Sequence, residues 1–307
     1  MMATSYEIPT WKTEMKELAP NVYAYFQAKG TWFLSNAGLI VGKEYAVVVD
    51  SLTTVGMNQA FIREIRKVTD KPLRFLINTH HHGDHVWGNH LFAGATILCQ
   101  TRCREEAIKT GIMDPKLLAA AFPGLDFQGI RLTPAHITFE KKLTLYVDER
   151  EIQLIYFQPA HTVGDILVYL PQEKILFCGD LLFLYSTPLC LQGSYAGWME
   201  SLQAMADLNP RIYVPGHGPQ CDQGGLQECR EYLRLVYDEG RKLLESGMGI
   251  FDAAQKIHLG RFKKWGNWER IAGNLDRLSR EFKGEQPNTE VDTPLLVGWM
   301  RKLAASG

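Results

Sequence analysis

The chain has 307 residues, 46% of them hydrophobic, with 33 basic against 34 acidic side chains and a formal net charge of −1. That balance supplies no basic field to follow a phosphate backbone, so nucleic acid is not an expected partner. No window approaches eighteen consecutive apolar residues, and the first twenty hold no signal-type apolar stretch, so no membrane span is expected either. The expectation is a cytoplasmic protein acting on a small molecule, with its oligomeric state left open.

The N-terminal third reads as strands. "NVYAYFQ" (21–27), "FLSNAGLIVG" (33–42) and "YAVVVD" (45–50) are short and rich in β-branched and aromatic residues, with turn residues between them. "MNQAFIREIRKV" (57–68) spaces its apolar residues as a helix does. "LRFLIN" (73–78) is a short apolar run, read as a buried strand, and "HVWGNHLF" opens a helix. "ATILC" (95–99) is a further strand, and residues 101–121 read as one helical segment. The second half repeats the theme with strands at "KLTLYV" (142–147), "EIQLIYFQ" (151–158), "DILVYL" (165–170) and "KILFCG" (174–179). A helix near 197–207, a strand "RIYVP" (211–215), a mostly helical stretch over 223–283 and one short helix in the tail complete the pattern. Strand-rich halves with helices outside predict two sheets packed face to face and covered by helices. The expected organisation is a main domain over 1–222 and a helical extension over 223–307 packed on it. The six cysteines (Cys99, Cys103, Cys178, Cys190, Cys221, Cys229) include no C-x-x-C pair and are expected to be reduced.

"NTHHHGDHVWGN" (78–89) places four histidines and an aspartate within six positions, directly after a strand. In an extended segment alternate side chains share a face, so His80 and His82 can turn to one metal ion together. Asp84 and His85 follow a glycine turn and can reach a second ion. His161 in "QPAHTVGD", Asp180 in "FCGDLL" and His217 in "VPGHGP" also sit at or just past strand ends, where a sheet holds loop residues in place. His161 can complete the first ion's set and His217 the second's, and the two oxygens of Asp180 suit a bridge. Imidazole and carboxylate donors without thiolate fit two divalent ions, zinc first, with manganese or iron as alternatives. A closed structural zinc site is thiolate-rich, which this set is not.

Read as H-x-H-x-D-H on His80, His82, Asp84 and His85, the cluster resembles the signature of the metallo-β-lactamase-fold hydrolases. The later landmarks follow in family order, at intervals of 79 residues from His82 to His161, 19 to Asp180 and 37 to His217. Asp50, closing "YAVVVD", resembles the early aspartate that supports the metal loop. The resemblance spans about residues 20–220. It implies an α+β fold, a four-layer αββα sandwich with a dinuclear site at one edge. It also implies His80, His82 and His161 on one metal, Asp84, His85 and His217 on the other, and Asp180 between them. The activity it implies is hydrolysis, in which a bridging hydroxide attacks a carbonyl carbon and Asp84, the expected catalytic residue, orients the nucleophile. An aspartate at 180 resembles the glyoxalase II, lactonase and thioesterase branches, so the expected substrate is a thioester, lactone or other carboxylic ester. A β-lactamase-like amide hydrolase, or a mononuclear-iron sulfur dioxygenase on the same fold, is the alternative. Three side issues follow from residues alone. His81 is expected to be a spacer pointing away from the metals. Tyr185 is weighed as a donor to a substrate carbonyl against a packed tyrosine. The basic run "GRFKKWGNWER" (260–270) is read as a solvated helix face with Trp265 and Trp268 turned inward.

Overall fold

A computed structural model describes residues 6–306. The first sheet has seven strands in sequence order: β1 (Glu14–Ala19), β2 (Val22–Phe26), β3 (Ala37–Val41), β4 (Ala46–Val49), β5 (Leu73–Ile77), β6 (Thr96–Gln100) and β7 (Ile137–Phe139). β1 to β4 pair antiparallel, and β4 to β7 pair parallel. The second sheet has five strands: β8 (Lys142–Val147), β9 (Arg150–Tyr156), β10 (Ile166–Leu170), β11 (Ile175–Phe183) and β12 (Ile212–His217). It runs antiparallel until β11 pairs β12 in parallel.

β4 shows why these segments are strands. All four residues of "AVVV" are buried, and side chains alternate between faces. Val47 and Val49 join the core between the sheets, with Ile77, Val168, Phe177 and Val214. Ala46 and Val48 face outward onto α1 (Val55–Val68), whose Phe61 and Ile65 lie four residues apart on one helical face. Thr54 caps α1 by accepting the Met57 N–H through Oγ1, and Arg66 and Lys67 in the last turn suit its negative end. On the far side, α5 (Tyr195–Asp207), α6 (Gln223–Glu245), α7 (Ile250–Lys256), α8 (Ile271–Phe282) and α9 (Thr293–Ser306) cover the second sheet in one continuous core. Trp198, Tyr232, Trp265 and Leu275 are among its members. Helix, sheet, sheet and helix therefore stack as the αββα order expected from the sequence.

Several local expectations need correction. The stretch 33–42 is strand only from Ala37, because Phe33 takes a left-handed φ of 63° and residues 31–36 form a loop over the site. The helix expected over 101–121 is two helices, α3 (Thr101–Thr110) and α4 (Pro115–Ala121). Gly111 breaks it at φ 64°, and Asp114 caps a new start ahead of Pro115. "HVWGNHLF" holds only the end of α2 (Gly83–Val86) and a single 3₁₀ turn over 89–91. β1 is half-exposed and β7 has three residues, so neither carries a strong apolar period. Asp180 lies inside β11, where the register with β12 slips on both sides of Gly179. All six cysteines are free, as expected. Among the described residues no helix is long and apolar enough to cross a membrane.

Candidate metal centre

The site sits where both sheets present the ends of their parallel strands. β5 delivers His80, His81 and His82, and α2 then turns Asp84 and His85 back over them. The loop between β9 and β10 supplies His161, β11 supplies Asp180, and β12 ends on His217. Two donor groups result, His80 with His82, His161 and Asp180, and Asp84 with His85 and His217. Within each, the donor atoms lie within 4.8 Å of one another. Asp180 touches both groups: its Oδ2 lies 3.4 Å from His161 Nε2 and 3.4 Å from His217 Nε2, and its Oδ1 lies 3.2 Å from His85 Nε2. His217 Nε2 is also 3.2 Å from Asp84 Oδ2. All seven residues singled out from the sequence are thus brought together.

Backbone and neighbouring side chains fix this arrangement. Asp50, at the end of β4 in a left-handed conformation (φ 58°), is 2% exposed. It accepts the Thr79 N–H and the Thr79 hydroxyl at 2.7 Å each, and its Oδ2 lies 2.9 Å from His85 Nδ1. That contact turns His85 Nε2 toward Asp180. The loop is held by donors from Ser51 and Asn78 to the His85 carbonyl and from Ser35 to the Asp84 carbonyl. The buried Trp198 ring lies 5.3 Å from that of His161, and its Nε1–H donates to the Leu181 carbonyl. Glycine is required at 216, because a Cβ there would lie 1.9 Å from Asp180 Oδ1.

The donor set fits cations. His80 Nε2, His85 Nε2 and Asp180 Oδ1 are buried with no aligned hydrogen-bond partner, a costly state for polar atoms unless a ligand completes them. Burial pushes the His82 and His161 imidazoles down to about 3, so both are neutral at neutral pH; His161 Nε2 and His82 Nδ1 lie 2.9 Å apart, a contact that an ion held by both would replace. His85 and His217 behave oppositely. Burial opposes their charge, but the carboxylates of Asp180, Asp84 and, for His85, Asp50 outweigh it and raise both. Asp84 is pushed up by burial, yet His85 and His217 hold it at about 2.

The centre forms one wall of a cavity of about 430 Å³. The aromatic cluster of Phe33, Trp87 and Phe122 lines one side, and Leu296 and Met300 of α9 the other. His81 joins neither donor group. It lines the cavity and is buried. Tyr185 is not among the lining residues and packs edge-on against Trp265, which supports the packing reading. Trp265 is in the core as expected, and Lys263 lies over the Trp268 ring. Arg270, at the end of the same basic run, is not solvated: it is 3% exposed and lines the cavity. Its sequence signal was the cationic run, which does not say which member turns inward.

The sequence model of the metallo-beta-lactamase superfamily matches residues 30–217. The chain belongs to that superfamily. The superfamily's characteristic fold is matched by a metallo-beta-lactamase from Pontibacter korlensis, at a TM-score of 0.58 and 20% identity over 73% of this chain and 99% of that one. A linear primary-alkylsulfatase from Pseudomonas sp. (strain ATCC 19151) is 20% identical over 264 residues, 72% of this chain and 49% of its own length. A hydroxyacylglutathione hydrolase from Brucella ovis is 30% identical over 136 residues, 44% of each chain. The chain spans about half the length of the curated relatives it matches.

Proposed function

We propose that this superfamily member is a metal-dependent hydrolase of a thioester, lactone or other carboxylic ester. In this reading His80, His82 and His161 hold one divalent cation, zinc first, and Asp84, His85 and His217 a second, with Asp180 between them. The observation that carries it is the convergence of seven buried or half-buried imidazole and carboxylate groups, with His80 Nε2, His85 Nε2 and Asp180 Oδ1 lacking an aligned hydrogen-bond partner, at the wall of a largely apolar cavity. Divalent cations in such a site lower the pKa of water from about 15.7 to near 7 and polarise the oxygen of the bond to be cleaved. The protein's own part is positioning. Asp84 Oδ2, held at 3.2 Å from His217 Nε2 and reaching the cavity, accepts a hydrogen bond from the attacking water and carries a proton toward the leaving group. The aromatic and aliphatic walls exclude bulk water and strengthen every electrostatic contact inside. Support comes from the family, from the thiolate-free donor set, and from a hydroxyacylglutathione hydrolase among the relatives. We further propose that residues 1–222 form the main domain and residues 223–307 an extension that shares its core and closes the cavity.

The test is metal analysis followed by a hydrolysis panel of acyl-thioesters, lactones, sulfate esters, phosphodiesters and β-lactams on the metal-loaded protein. Two zinc or manganese ions per chain with turnover of the acyl substrates is the expected result. Phosphodiester-only turnover would overturn the carbonyl assignment, and one iron with oxygen uptake would replace hydrolysis with oxidation.

A further inference from the structure

Arg270 has no role in the donor groups, yet it is among the most deeply buried charges in the chain. Its guanidinium carbon lies 4.2 Å from the Trp32 ring centroid and 5.9 Å from that of Phe183. Nη1 donates to the Thr187 carbonyl at 2.8 Å and lies 3.4 Å from Ser186 Oγ, whereas Nε is buried with no partner. Phe183 in turn stacks on His217, with ring centroids 4.9 Å apart and planes within 6°. A cation is thus set one ring away from the metal centre, on its His217 side. Burial pulls the guanidinium down to about 10, and the carboxylates that act back on it are Asp180, Glu269 and Asp84. Glu269 lines the cavity beside it, and its Oε1 accepts from Trp32 Nε1 and Asn267 Nδ2. Asp84 and Asp180 face the histidines. A buried guanidinium is costly unless an anion completes it, and its planar fork suits a carboxylate or sulfonate-type oxyanion.

Most of the remaining lining is apolar: Phe33, Phe122, Leu118, Leu296 and Met300 offer no charge and little hydrogen bonding, while Glu269 and Arg301 add one acidic and one basic side chain. We propose that the site takes an amphiphilic substrate, whose oxyanion group is read by Arg270 on its Trp32 platform and whose apolar body lies between α4 and α9. The stacking matters, because Trp32 holds the guanidinium plane where Arg270 lines the cavity. The charge excludes neutral esters of the same shape, and the apolar walls exclude small hydrophilic acids. The substrate class rests on the hydrolase reading, whereas the anion site itself does not need turnover.

Calorimetry on the zinc-loaded protein tests this with three probes of equal chain length: n-decanoate, n-decyl sulfate and n-decanol. Both anions are expected to bind at least about ten-fold tighter than the alcohol, the effect of one charged hydrogen-bonding contact. Arg270→Met is expected to lose about ten-fold or more in affinity for both anions while n-decanol binding stays within two-fold. Arg270→Lys keeps a charge but loses the planar stack, so an intermediate ratio is expected. It also serves if the methionine variant does not fold. Decanoate without decyl sulfate in the wild type would narrow the class to carboxylates. If Arg270→Met retains the wild-type preference for anions, the metal ions or Arg301 read the charge and the proposal fails. If anion and alcohol binding fall together in both variants, Arg270 is only packing and the proposal fails likewise. A protein that shows the expected ratio but hydrolyses nothing in the panel would remove the hydrolase reading and leave the anion site standing.

Discussion

Replacing Asp50 by asparagine exchanges one oxygen for an amide nitrogen, keeps the volume, and suits the left-handed φ of 58°, which asparagine tolerates. The carboxylate accepts from Thr79 N–H and Thr79 Oγ1–H and faces His85 Nδ1 at 2.9 Å, so three donors converge on two oxygens. An amide has one accepting oxygen, so its NH₂ must meet at least one of those donors. If that donor is His85, its proton must move to Nε2, the atom aimed at Asp180 and 3.9 Å from Asp84 Oδ2. An imidazole protonated there cannot give that atom's lone pair to a metal. Groups that orient a ligand histidine in this way are typically worth 10–100-fold in metal affinity, or about 1.4 to 2.8 kcal/mol. The loss is expected at the Asp84/His85/His217 group, with the His80/His82/His161 group nearly unchanged. A chelator-competition titration that resolves two binding steps reads it, with circular dichroism as the check on folding. Native affinity at both steps in a folded Asp50→Asn protein would refute the tautomer argument.

Asp84→Ala should cut turnover of the best panel substrate by about 10²- to 10⁴-fold while circular dichroism still shows a folded protein; near-native turnover would remove its catalytic role. Because carboxylates raise His85 and His217 above the ordinary imidazole value, whereas burial lowers His82 and His161, filling the two groups with zinc should release protons unequally. A pH-stat titration near neutrality should show release with the ion bound at Asp84/His85/His217. Affinity there should fall as the pH is lowered, and equal release at both steps would contradict this assignment. Gly216→Ala places a methyl group 1.9 Å from Asp180 Oδ1, so the carboxylate must move. Overpacking of this kind costs about 1–3 kcal/mol, and metal content is expected to drop below two ions per chain; a full complement would mean that the bulge at Gly179 absorbs the strain.

The two-sheet sandwich and every proposed metal donor were legible in the sequence because each rests on a local signal. β-branched runs such as "AVVV" have to be buried, and a histidine at the end of such a run has little freedom in where it points. What was not legible depended on partners distant in sequence. Nothing in "EMKELA" shows that it will add an edge strand beside β2. The left-handed Phe33 turns an expected strand start into the aromatic loop over the site, and Asp180 lies within β11 because that strand continues past its bulge. Arg270 is the clearest case. It follows Trp268 and Glu269 in a charged run, and only the packing of Trp32, from a loop 238 residues earlier, shows that it is buried. The superfamily landmarks mark the metal groups and stop at His217, before the helices that shape the cavity begin.

The donors at His80 and His217 are separated by 137 residues, and β12, which carries the second, is the edge strand beside β11. A growing or refolding chain can bring the local "HHHGDH" residues together early, since they are contiguous. It can complete neither donor group until later segments have docked: His161 and Asp180 for one, and His217 on the last strand for the other. Closing loops of this length is an entropic step taken before the contacts return anything. Cation binding therefore comes late on the folding route and adds to the native state without helping to reach it. In rate terms, bound ions would slow unfolding far more than they speed folding. Chelation would then show first as a shorter native lifetime, with the refolding rate almost untouched.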